Sequence, residues 1–229
     1  METYHKINGL YKRYTDGPKK GKFIMGEWAN PEIGYLAKNR WEFTEKVDGT
    51  NIRIGYDLSP MHLVNVQFGG RTANADLPKP LLARLREHFT PELFEAADLH
   101  DVVLFGEGYG PKIQAGGGNY GTKQDFVLFD VKIGDWWLHR ADVDDVAKKL
   151  GIKSVPTLGY GTLQDAIDIV STGITFSPLK HWDGGGVRHG LKSQWGDFEA
   201  EGIVARPEVP MFDRKGQRII TKIKAVDFR

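Results

Sequence analysis

Trp41-Glu-Phe-Thr-Glu-Lys-Val-Asp-Gly-Thr-Asn-Ile-Arg-Ile54 is the stretch whose reading decides the fold. Side chains of an extended chain alternate between two faces. Trp41, Phe43, Glu45 and Val47 therefore share one face, and Glu42, Thr44 and Lys46 the other. Asp48-Gly49 supplies a turn, after which Ile52, Ile54 and Tyr56 resume the alternation. Lys46 ends a strand beside a glycine that lets backbone approach a ligand closely, which is a place to hold a nucleophile. Taken alone, K-x-D-G describes a surface hairpin with an exposed lysine equally well.

Outward from this stretch, strand-like apolar runs recur at 41–47, 52–57, 62–68, 101–106, 126–131, 201–206 and 218–224, bounded by Gly, Asp, Asn or Pro. Helical spacing is confined to 80–88, 91–99, 141–150 and 162–172, the last with Leu163, Ala166, Ile167 and Val170 on one face. Strands with interspersed helices and no strict βαβ alternation predict an α+β domain of antiparallel sheets with flanking helices. Ala115–Gly121 and Asp183–Gly190 are glycine-rich and read as mobile loops. No repeat or low-complexity linker divides the chain, so 1–229 is expected to form a single domain.

Composition narrows the function. The 229 residues contain no cysteine, which excludes disulfides, thiolate zinc sites and a cysteine nucleophile. Hydrophobic residues at 40% and charged residues at 27% suit a soluble globular protein, and no apolar run nears the roughly 20 residues of a spanning helix. The basic N-terminus lacks the apolar core of a secretory signal. A soluble cytoplasmic monomer is expected, host-cytoplasmic if viral, with no membrane partner. Net charge is only +1, but residues 1–40 hold eight Lys/Arg against four Asp/Glu and residues 206–229 seven against three. A fold that joined the two ends would present a basic face to phosphates.

Four further segments carry chemistry. Val102–Gly110 is an apolar strand ending in Glu107 between glycines, which packing alone does not require. Asp125–Val131 is a strand whose Phe129 suits either a core or a ring offered to a flat base. In Phe198–Arg206 the carboxylate of Glu201 stands before a glycine at the head of an apolar strand. Arg218–Lys224 puts Lys222 and Lys224 on one strand face, where like charges repel unless an anion such as a triphosphate lies between them. By contrast, His62, His88, His100, His139, His181 and His189 show no metal-ligand spacing. Asp142, Asp144 and Asp145 suit a helix N-terminus, and Trp182 and Trp195 suit partial burial beside a loop. Lys19, Lys20 and Lys22 read equally as a solvated charge run or a contact to nucleic-acid backbone.

Glu-Lys46-x-Asp-Gly-Thr-Asn, Phe-Gly-Glu107, Leu-Phe129-Asp, Glu201-Gly-x-Val and Lys222-x-Lys224, in this order, resemble motifs I, III, IIIa, IV and V of the covalent nucleotidyltransferases. Those are the ATP-dependent RNA ligases, DNA ligases and capping enzymes. The resemblance runs from about residue 28 to the C-terminus. Thr50-Asn51, Tyr109 with the glycines after it, and Gly26-Glu-Trp28 look like the RNA-ligase branch of phage nick-sealing and kinetoplastid editing enzymes. DNA ligases usually carry Arg where Asn51 stands.

The resemblance implies an ATP-grasp-like adenylation domain that joins 5′-phosphate to 3′-hydroxyl ends of nicked or broken RNA through a lysyl-AMP intermediate. Lys46 would be the nucleophile, with Lys222 and Lys224 on the phosphates. A lysine amine attacks only after losing its proton, which neighbouring cations favour. Glu45, Asn51, Arg71, Glu107 and Phe129 would complete the ATP site, Glu107 at the ribose and Phe129 against adenine. Glu201 would hold Mg2+ or Mn2+. The pattern stops short of the family's usual C-terminal domain, so a stand-alone domain is expected. An ATP-dependent DNA ligase and a non-catalytic module that binds nucleic-acid ends are the alternatives; equal function of Lys46→Ala would favour the latter.

Overall fold

In the computed structural model, which describes residues 1–57, 65–72, 75–172 and 190–228, the strand that ends at Lys46 does not fold back on itself. The strands are β1 (Asn8–Gly9), β2 (Tyr11–Arg13), β3 (Phe23–Trp28), β4 (Trp41–Lys46), β5 (Thr50–Tyr56), β6 (Val66–Gly70), β7 (Val102–Tyr109), β8 (Asp125–Ile133), β9 (Trp136–Trp137), β10 (Lys153–Ser154), β11 (Thr157–Gly161), β12 (Gly202–Pro207) and β13 (Thr221–Lys224). The helices are α1 (Pro31–Tyr35), α2 (Lys79–His88), α3 (Pro91–Ala96), α4 (Arg140–Lys149) and α5 (Leu163–Thr172). β4 and β5 belong to different sheets, so Asp48-Gly49 is a crossover rather than a hairpin turn. The period-2 pattern fixes which face a residue occupies and says nothing of its strand's partner.

The chain divides into two compact units. The first, Met1–Tyr4 with Val47–Val155, holds a sheet in the order β10-β8-β7-β5-β6, with β9 on β8. Ile52, Ile54 and Tyr56 of β5, Val102 and Leu104 of β7, and Phe126, Leu128 and Val131 of β8 bury one face. Leu81 and Leu85 of α2, Phe94 of α3, and Val143 and Val146 of α4 join the same cluster. The alternate residues, Asn51, Arg53, Phe105, Glu107 and Val127, lie on the other face.

The second unit, His5–Lys46 with Pro156–Arg229, holds a sheet in the order β1-β13-β12-β4-β11 and the separate pair β2-β3. Trp41, Phe43, Ile203, Ala205 and Ile223 turn one face to Leu163, Ala166, Ile167 and Val170 of α5. The helical spacing read at 162–172 is therefore the buried face of α5.

Two expectations need amending. The sheets are not wholly antiparallel, because β1 joins β13 and β10 joins β8 in parallel. Both exceptions are two-residue edge pairings, too short to leave a sequence pattern. Second, Ala115–Gly121 is not a loose loop. Gly117–Tyr120 is a 3-10 turn with Gly117 and Tyr120 buried, and Gly110 N–H donates to Gly117 O at 3.0 Å. Of the strand read at 62–68, residues 62–64 lie outside the described residues and Val66–Gly70 form a strand. His62, His181, Trp182, His189 and most of Asp183–Gly190 lie outside the described residues. Among the described residues no helix is long and apolar enough to cross a membrane.

Candidate active site

In the second unit the sheet register sets the candidate nucleophile. Gly202 on β12 is level with Lys46 on β4 and with Lys224 on β13, and Val204 is level with Thr44 and Lys222. Lys46, Lys222 and Lys224 thus share the sheet face opposite α5. Glu201, just before β12, reaches between two of them: Lys46 Nζ donates to Oε2 at 2.5 Å and Lys224 Nζ lies 2.6 Å from Oε1. The anion that the Lys222-x-Lys224 spacing calls for is, at Lys224, a carboxylate of the chain itself. Gly202 stands at φ +152°, and a Cβ there would overlap the Ile223 carbonyl oxygen. Glycine after Glu201 is what lets β12 lie against β13 at this rung.

Glu45 corrects an expectation. Being next to Lys46 on a strand it faces the other way, into the core, where it is 1% exposed. Ser193 Oγ donates to its Oε1 at 2.5 Å and Gln194 N–H to its Oε2 at 2.8 Å. Burial pushes its carboxyl above the usual range, with the two hydrogen bonds opposing in part. Its side chain ties the segment before Glu201 to the nucleophile's strand. Sequence reading missed Ser193, which no motif marks.

In the first unit, Asn51 of β5, Glu107 of β7 and Val127 of β8 form one rung of the sheet face away from the cluster. Asn51 Oδ1 is buried without a hydrogen-bond partner. A buried carboxamide oxygen left so is costly unless a ligand donor completes it. The next rung pairs Phe105 with Asp130, and the register slips there by one residue. Phe129, like Val127 two residues before it, lies on the face away from the cluster and meets the Tyr4 ring edge-on at 5.1 Å; the β-bulge after Leu128 is what returns Val131 to the clustered face. Phe129 is therefore not part of the hydrophobic cluster that Phe126 and Leu128 join. Tyr4 was not singled out from the sequence; its OH donates to Asp130 Oδ2 at 2.5 Å.

The crossover after Lys46 is held within the first unit. Gly116 N–H donates to Asp48 Oδ2 at 2.9 Å, and Asp48 N–H to the Tyr120 hydroxyl at 3.3 Å. A Cβ on Gly49 would overlap the Gly108 carbonyl oxygen. Asp48 and Gly49 therefore fix the path of the chain beyond Lys46. Arg71 is exposed in the turn after β6.

Among the described residues no three His, Asp or Glu side chains gather as a metal cluster. Magnesium and manganese can be held by one carboxylate together with waters and phosphates, so Glu201 by itself fits such an ion.

Residues 39–224 match the family model described as RNA ligase. No curated protein matches the chain. Among solved structures, the chain is similar to a Naegleria gruberi RNA ligase with PPi, at 18% identity over 85% of this chain and 52% of that one, TM-score 0.59. A variant of that ligase with ATP and Mn matches at 16% identity over 97% and 60% of the two chains, TM-score 0.60. The chain spans about half the length of the first of these, and at such identity the likeness speaks for the fold. The family model covers most of the sequence and takes in both the Lys46 strand and the Lys222-x-Lys224 strand: the chain belongs to the RNA ligase family.

Proposed function

We propose that the chain is an ATP-dependent RNA ligase that joins a 5′-phosphate to a 3′-hydroxyl through a phosphoramide on Lys46. The observation that carries this reading is the row of Lys46 and Lys224 bridged by Glu201 on the sheet face opposite α5. Lys46 Nζ attacks the α-phosphorus of ATP; an N–P bond forms, the bond to the bridging oxygen breaks, and pyrophosphate leaves as the amine loses its proton. A nucleic-acid 5′-phosphate then displaces Lys46 to give a 5′-adenylylated end. The 3′-hydroxyl attacks that phosphate and releases AMP. Lys222 and Lys224 offset phosphate charge in each transfer. Asn51, Glu107 and Phe129 supply a carboxamide, a ribose acceptor and a ring, the groups a nucleoside needs. Arg71 is available to a phosphate, and a divalent ion held through Glu201 would add positive charge at the phosphates.

Lys46 Nζ is held against Glu201 Oε2 at 2.5 Å. Lys46 or Glu201 must leave this pair before the amine can attack the α-phosphorus. Intact mass after denaturation, following incubation with ATP and magnesium, tests the reading. The parent should gain one AMP and Lys46→Ala none; no gain with ATP and either metal, from protein free of prior AMP, overturns it. Sealing of all-RNA against all-DNA nicks separates the RNA-ligase reading from the DNA-ligase one.

A further inference from the structure

The β2-β3 hairpin lies outside everything assigned so far. Between Lys12 and Lys22 it carries five cations, Lys12, Arg13, Lys19, Lys20 and Lys22, against Asp16 alone. It is ordered rather than a solvated tail. Tyr14 N–H donates to Lys22 O at 3.0 Å, Gly21 N–H to Tyr14 O at 2.8 Å, and Lys20 N–H to Gly17 O at 3.1 Å. Gly17 and Gly21 take the left-handed backbone these turns require, at φ +70° and +83°.

Arg13 anchors the loop. Its guanidinium donates to Gly21 O at 2.6 Å, lies 4.2 Å from the Phe23 ring centroid, and makes a two-pronged pair with Asp227 at 2.8 and 2.7 Å. Arg13 is therefore already neutralised, and Lys12 faces Glu27 at 3.4 Å. Lys19, Lys20 and Lys22 are exposed, and among the described residues no carboxylate pairs with any of them. Lys19 Nζ lies over the half-exposed Tyr14 ring at 5.9 Å.

Three like charges fixed together on a closed loop, whose one acid, Asp16, pairs with none of them, repel one another until a polyanion covers them. We propose that Lys19, Lys20 and Lys22 form a docking surface for the phosphate backbone of the nucleic-acid substrate. They grip it without reading sequence and take no part in AMP transfer. The inference rests on the ligase reading for its choice of partner, a nucleic acid. Backbone contacts of this kind position the substrate and make binding depend steeply on salt.

The test measures binding of the full chain to nicked RNA duplex across salt concentrations, for the parent and for Lys19→Gln/Lys20→Gln/Lys22→Gln. AMP uptake from ATP and melting temperature are followed in both proteins. With each phosphate contact contributing about 0.9 to the slope of log K against log salt for a duplex, the triple variant should lose roughly 2–3 from that slope. Its AMP uptake and melting temperature should match the parent's. A Lys→Arg triple variant should keep the slope. Equal slopes in parent and Gln variant overturn the proposal, as does a variant that binds anionic vesicles worse but RNA equally well. Failure of both proteins to take AMP while the parent alone keeps the steep slope would sink the ligase reading and leave the hairpin surface standing.

Discussion

Lys46 and Lys224 share one carboxylate, and this makes Glu201 the most sensitive neighbour of the proposed nucleophile. Partly exposed ion pairs contribute about 1 kcal/mol or less to folding, so Lys224→Ala should barely move the melting temperature. Loss of a charge aimed at the transferring phosphate costs far more in rate. Lys224→Ala should slow AMP transfer to Lys46 by about 100- to 1,000-fold, measured by single-turnover mass gain. A rate within threefold of the parent would remove Lys224 from the phosphate site. Glu45, the adjacent residue, should behave in the opposite way. Its raised pKa means that the folded chain binds this proton more tightly than the unfolded chain. Glu45 therefore favours folding in acid, and that contribution fades as pH climbs through the folded value. Glu45→Gln can still accept from Gln194 N–H and exchange a hydrogen bond with Ser193. Its melting temperature relative to the parent should rise as pH goes from about 4 to about 7. A pH-independent difference would show that burial does not govern this carboxyl.

At the level of strands and helices, the β4-Asp48-Gly49-β5 crossover fixes the site through sterics. Gly49→Ala would drive a methyl group into the Gly108 carbonyl oxygen of β7, and backbone has no alternative rotamer by which to yield. A cost of about 1–3 kcal/mol is expected, with a matching fall in melting temperature and poorer AMP uptake. A fully stable Gly49→Ala would mean that the β5-β7 rung opens easily at this end. Much of this level was legible in the sequence. Alternation named the faces of β4 correctly, so Lys46 opposite Trp41 and Phe43 needed no coordinates, and the 3.6-residue spacing of α5 named its buried side. What was not legible depends on partners distant in sequence. β4 and β5 read as neighbours yet join different sheets. Val131 rejoins Phe126 and Leu128 on the clustered face only because the β7-β8 register slips, which no local spacing reports. The Ala115–Gly121 glycines read as freedom, whereas Gly116 and Gly117 are small because Asp48 Oδ2 and Gly110 O lie against them, where a Cβ would come within 2.8 and 2.7 Å. Glu45 shows the remaining limit: alternation put it on the core face, but only the fold brings up Ser193 and Gln194 to keep a buried carboxylate there.

Across the whole chain, the path alternates between units: Met1–Tyr4 lies in the first, His5–Lys46 in the second, Val47–Val155 in the first again and the remainder in the second. Four N-terminal residues thus complete a unit whose other residues begin after forty-two intervening positions. They do so through polar groups that the unit could not otherwise bury. Arg53 is 3% exposed, and its guanidinium donates to Met1 O and Glu2 O as well as to Gly70 O and Thr72 O. Tyr4 packs on Phe105 and Phe129 and donates to Asp130, itself 2% exposed. Removing residues 1–4 would strip Arg53 of two acceptors and Asp130 of one donor while uncovering two aromatic rings. The combined cost is on the order of 3–6 kcal/mol, a large share of a domain's margin. Tyr4→Phe removes only the hydroxyl and should cost about 1–3 kcal/mol. Both changes should also raise the ATP concentration needed for half-maximal AMP uptake, because Phe129 loses or loosens the ring that holds it in the bulge. Thermal melting and AMP uptake measured together decide the point. A truncated chain with the parent's melting temperature would show that Arg53 and Asp130 find water or other partners at no cost. A stable chain with unchanged ATP dependence would separate Phe129 from the nucleoside altogether.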